Sequence, residues 1–134
     1  MATLSPSEQE VIAALIDALD PVPVWWGYAP QESADLPPSL PMVVVMRTSA
    51  IVRTDWDDMC DLPPGDPLAA NITLQIRIWN AQDYAAARDL MADARAAVRE
   101  LGGWNEQSEF DTRDGELRAW LIISDWLAEA APLE

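Results

Sequence analysis

Histidine and lysine are both missing from this chain of 134 residues: its eight basic residues are all arginine, set against 23 Asp and Glu for a net charge of −15. Without histidine there is no Ser-His-Asp triad, no Cys-His pair, no imidazole general base and no histidine-held metal. Without lysine there is no Walker lysine and no Schiff base. Cys60 is the single cysteine, so a zinc knuckle, an iron–sulfur cluster and an internal disulfide are excluded, and the fold does not depend on an oxidising compartment. What survives is carboxylate chemistry, hard cations held by carboxylates, or work done by surfaces alone.

Long apolar runs are also missing. No stretch approaches the ~18 residues of a membrane span, and the N-terminus lacks the basic start of a secretory signal, so the expectation is a protein that stays where it is made and has no membrane partner. The arginines are spread from Arg47 to Arg118, and a net −15 repels phosphates, so sequence-specific nucleic-acid binding is not expected. The acidity has two readings, a solubilising surface or a functional field. Half of the residues are hydrophobic, and a chain of this length forms about one domain, spanning 1–134, that buries roughly two thirds of its unfolded surface.

Ser5-Pro6-Ser7-Glu8 is a helix start, with a hydroxyl cap, a proline at the first helical position and a carboxylate three residues after the cap. Val11, Ile12, Leu15, Ile16 and Leu19 then recur at helical spacing and predict a helix over about 6–19. Val24 to Tyr28 reads as a short strand, and the β-branched run from Pro41 to Met46 as a central strand covered on both faces, extending through Ile51-Val52. Ile72, Leu74, Ile76 and Ile78 alternate with Thr73, Gln75, Arg77 and Trp79, predicting a strand with one buried and one polar face. Asn80 or Asp83 opens a long helix with Tyr84, Ala87, Met91, Ala94, Val98 and Leu101 on its inner stripe, closed by Gly102-Gly103. Asp114-Gly115 signals a hairpin between Glu109-Phe110-Asp111 and Leu117 to Ile123. The order helix, three strands, helix, two strands predicts an α+β fold: a mostly antiparallel sheet of four to five strands with two helices packed on it.

The segment from Asp55 to Pro67 is turn chemistry throughout and reads as an exposed loop. Its Asp55, Asp57, Asp58 and Asp61 could gather oxygen ligands, but an EF-hand needs a ligand where Met59 stands and glycine where Cys60 stands. No metal or cofactor is therefore expected. No carboxylate spacing singles out an acid–base pair. The seven tryptophans suit a sugar platform less well than core and interface packing.

The stretch from Val11 to Leu101 resembles the tail terminator, or tail completion, proteins of long-tailed bacteriophages and phage-like particles. The resemblance rests on the first helix, Val24-Trp25-Trp26 followed by Pro30-Gln31, the Pro41 to Val45 strand, and Leu74 to Trp79 running into Ala85, Leu90, Ala94 and Val98. The C-terminal hairpin fits as well. It implies a small α+β subunit that forms a ring, commonly a hexamer, on the last ring of the tail tube. Such a ring ends tube polymerisation and offers a surface for head–tail joining. Its partners are copies of itself, the tail tube protein and the head connector protein, and because a ring needs only modest pairwise interfaces, an isolated subunit can be a monomer in dilute solution and still a hexamer on the tail. Its place is the virion tail, and the host cytoplasm during assembly. The family supplies no catalytic residues, and no catalytic residue is assigned. Trp56, Asp57, Asp58 and Asp61 are the candidate contacts to a neighbouring subunit or the tube, on a hairpin that reaches ~20 Å or more beyond the sheet. The alternatives are a head–tail connector component, or a small carboxylate-dependent hydrolase or carbohydrate-binding domain.

Overall fold

A computed structural model describes residues 6–27, 41–52, 68–81, 83–115 and 118–133. Helix α1 (Pro6–Leu19) occupies the predicted span. Its inner stripe is narrower than the periodicity suggests: Val11, Leu15 and Leu19 are buried, whereas Ile16 is exposed. Past Leu19 the chain turns at Pro21, and the Val22 N–H donates to the Leu19 carbonyl at 2.8 Å.

Strands β1 (Val24–Trp26), β2 (Met42–Val52) and β3 (Leu68–Asn80) follow, then helix α2 (Tyr84–Leu101), then β4 (Asn105–Asp114) and β5 (Ala119–Leu133). They form one five-stranded sheet in the order β1-β2-β3-β5-β4. β1 runs parallel to β2, and the other three pairings are antiparallel. The α+β architecture predicted from the element order is the one observed.

Side chains two apart on a strand share a face. Val43 and Val45 of β2, Ile72 to Ile78 of β3 at alternate positions, and Ile122, Trp126 and Ala128 of β5 meet Val11 and Leu15 of α1 and Ala87, Met91, Ala94 and Val98 of α2 in one core. Both helices therefore lie on the same face of the sheet. The other face holds a second buried cluster of Met42, Val44, Trp79, Ala119, Leu121 and Ile123. Burial on both sides explains the unbroken apolar run at the start of β2.

Several expectations need correction. The outer face of β3 is not uniformly polar, because Trp79 is only 9% exposed; its indole N–H keeps a partner by donating to Asp114 Oδ2 at 3.1 Å. Tyr84 and Leu101 are exposed rather than buried. They stand in the first and last turns of a helix ~27 Å long, and Tyr84 directs its hydroxyl outward to Asp111. The cap readings hold: Asp83 accepts from the Ala86 N–H, and Gly102 ends α2 at φ 74°, a region that disfavours any residue with a Cβ. In the β4–β5 connection it is Arg118, at φ 52°, that takes the left-handed conformation. β5 accordingly begins at Ala119 and not at Leu117. It also runs well past Ile123, which carries Trp126, 1% exposed, into the core.

An ion pair ties α1 to the sheet. Glu8, on the first turn of α1 and fully buried, accepts from Nε of Arg47 on β2 at 2.8 Å and from its Nη2 as well. This fork-to-carboxylate geometry pins the start of α1 to the sheet across 39 residues of sequence. The two partners are unequal, since Arg47 keeps 22% of its side chain in solvent and Glu8 none. Arg47→Met strands a buried carboxylate and is expected to cost about 3–5 kcal/mol. Glu8→Gln leaves an arginine that rehydrates, and costs less. Urea unfolding followed by tryptophan fluorescence checks the order of the two.

Candidate functional site

The sequence-predicted contacts Trp56, Asp57, Asp58 and Asp61 lie outside the described residues, as does Cys60. The structure instead brings charge together between α2 and β4. Arg88, Arg95 and Arg99 share one flank of α2, at spacings of seven and four residues. Beneath them the helix-facing positions of β4 carry Glu106 and Glu109, with a bulge at Gln107 between them. Arg95 grips Glu106 with both guanidinium edges, Nε to Oε1 and Nη2 to Oε2 each at 3.0 Å, and also reaches Glu109. Arg88 donates to Glu109, and Arg99 stands 3.7 Å from Glu106. Ser124, buried on β5, donates its hydroxyl to Glu106 at 2.7 Å.

Burial alone would raise the Glu106 carboxyl, but hydrogen bonds from Arg95 and Ser124 and the charges of Arg95 and Arg99 outweigh it, and the group sits below its usual range. The same hydrogen bond to Glu106 raises Arg95 against its own desolvation. Lowered in this way, Glu106 holds its charge and has no proton to exchange near neutrality. The arrangement is a clamp between helix and edge strand, not an acid–base pair.

At the other end of α2, Tyr84 meets Trp120 of β5 edge-on, with centroids 5.3 Å apart at 76°. Arg113 of β4 lies over the same indole at 5.3 Å. The Tyr84 phenol is raised, first by its hydrogen bond to Asp111. Trp120 therefore already carries a cation on its ring and a phenol at its edge, so it is not a bare platform for a sugar. Trp79, Trp104 and Trp126 are buried in the cores, consistent with packing as the main use of this residue. The Trp126 indole N–H has no partner among the described residues.

On the outer face of the sheet, Asp125 accepts from Gln75 at 3.0 Å and from Ser108 at 2.8 Å, while Arg77 donates to Gln75. A shallow cleft of about 290 Å³ is lined by Trp26, Gly27, Met46 and Arg47. Among these described lining residues the one cation is Arg47, which Glu8 holds. Among the described residues no group of three Cys, Asp or Glu is placed to hold a metal ion, and no helix is long and apolar enough to cross a membrane.

Sequence reasoning missed the clamp. The available signal was three arginines on one flank of a helix whose opposite flank is alanine, next to a strand with glutamates three residues apart. Glu106 fixes the sign of its pH effect. A carboxyl lowered by folding contributes stability in full above its unfolded value of about 4.3, and that contribution is lost as pH falls through the lower folded value. Thermal melts between pH 7 and 3 are therefore expected to fall on the acid side, with a shallower fall in Glu106→Gln.

No protein-family model matches this chain, and no curated protein matches it either.

Proposed function

We propose that the chain is a non-enzymatic subunit of a phage tail-terminator ring, which caps the tail tube, ends its polymerisation and forms the surface for head–tail joining. The observation that carries this reading is the arrangement of elements: α1, three strands, α2 and two strands on one mostly antiparallel sheet, with both helices on one side. That is the small α+β subunit implied by the resemblance. Three of the described carboxylates support it too, since Glu8, Glu106 and Glu109 are each bound to arginine in a structural role. The partners are further copies of the chain, the tube protein and the head connector. A channel lined by carboxylates would let DNA pass without holding it, because like charges repel.

Electrostatics sets the condition for assembly. Copies carrying −15 each repel at low salt, where the screening length is about 30 Å at 0.01 M, and less at 0.15 M, where it is about 8 Å. Self-association measured by sedimentation is expected to strengthen severalfold across that range. Negative-stain images of the protein added to growing tubes are expected to show rings on tube ends and tubes that stop lengthening. Tubes that lengthen unchanged in its presence overturn the reading. So does a catalytic turnover that disappears when one carboxylate is replaced.

A further inference from the structure

A ring needs a joint, and among the described residues the sheet has two open edges of opposite character. On one side β4 is the last strand, and past its bulge at Gln107 it runs regularly from Ser108 to Asp114. On the other side the described residues of β1 cover β2 only from Val43 to Val45, and the Gly27 N–H donates to the Val45 carbonyl. Beyond that point, Arg47 to Val52 of β2 has no strand on its outer edge among the described residues.

We infer that these two edges join head to tail between copies of this chain, β4 of one subunit adding to the far half of β2 of the next, with Phe110 packed on Ile51. The inference rests on the ring reading above and names its interface. Three observations support it. First, polarity: β2 is antiparallel to β3, β3 to β5 and β5 to β4, so β4 runs opposite to β2. Rotation about an axis along the strands therefore brings the two edges together as an antiparallel pair, the better-bonded kind.

Second, apolar complementarity. Ile51 at 65% and Phe110 at 52% are the two most exposed large hydrophobic residues among those described. Phe110 pairs with Ile123 of the outer cluster, and Ile51 is next to Ala50, which faces the helices, so both project from the helix-free side. Setting Phe110 opposite Ile51 also sets Thr112 opposite Ser49, two small hydroxyl side chains on that same face.

Third, charge. β4 carries four carboxylates and one arginine, whereas β2 carries one arginine and no carboxylate. Glu106 and Glu109 are already paired with the arginines of α2, so the β4 edge offers Asp111 and Asp114 to an edge without acids, while a two-fold contact of β4 with β4 would set those two aspartates against their copies. A heterologous joint of this type gives a ring when its rotation closes, and an open filament when it does not.

Cysteine cross-linking tests the joint in a Cys60→Ser background at raised protein concentration and salt. The double variant F110C/I51C, treated with a short bismaleimide, is expected to give a ladder of linked oligomers ending at the closed ring. A mixture of the two single variants should give linked dimers only, and each single variant alone should stay monomeric on a denaturing gel. Phe110→Asp, at an exposed position, should leave the circular dichroism unchanged and weaken association at least tenfold. Dimers from F110C alone would show a two-fold contact and overturn the joint. Association by sedimentation without a ladder overturns the joint and leaves the ring reading standing. Absence of any association at this concentration and salt overturns the joint, while the ring reading falls only with tubes that lengthen unchanged in the presence of the protein.

Discussion

Four alternate side chains of β3, Ile72, Leu74, Ile76 and Ile78, carry the helix layer, and every other element is placed by reference to them. Each is at most 1% exposed. Because strand side chains alternate with a period of two, a slip of one residue would turn all four to the other face and leave both helices without a floor. β3 is also the middle strand of the sheet, paired along nearly its whole length with β2 on one side and β5 on the other. Full burial of such side chains contributes about 1.5–3 kcal/mol each, which is why this strand is the clearest signal in the amino-acid pattern.

That clarity does not extend over the whole chain, and the reason is the same period. Where one face is buried and the other wet, as in β3, or where an apolar stripe recurs at helical spacing, as in α1 and α2, the pattern announces the element. β5 past Ile123 does not alternate cleanly: Ser124 is buried to serve Glu106, and Asp125 sits among Gln75 and Ser108. Polar residues placed by cross-strand partners look like loop until those partners are known. β4 is harder still, because Glu106 and Glu109 face the helix layer and have counter-ions in α2. A strand whose inner face is ionic has no apolar signature. The turn at Arg118 was hidden for a different reason, since Asp114-Gly115 offered a stronger local signal than the arginine that takes the positive φ.

Charge is distributed unevenly across the molecule. The described arginines of α2 lean on β4, Arg47 leans on Glu8, and the outer sheet face carries the mixed row Arg77, Gln75 and Asp125. Among the described residues, Arg47, Arg88 and Arg95 thus use their charge to hold elements together. The surfaces an acidic chain presents to other molecules are therefore set less by its total charge than by where arginine has neutralised it. The far half of β2, uncharged from Thr48 to Val52, is one stretch without acids.

The alanines of α2 have a consequence of their own. Ala87 and Ala94 are completely buried between helix and sheet, and a methyl group is the thinnest side chain that can fill such a gap. They set the height at which the helix rides, and with it the distance across which Arg88 and Arg95 must stretch to the edge strand. A bulkier residue at either place would act as a shim: it would tilt the helix axis away and draw the guanidinium groups out of register with their acids. The smallest side chains in the interior thereby govern the alignment of the largest ones on its rim.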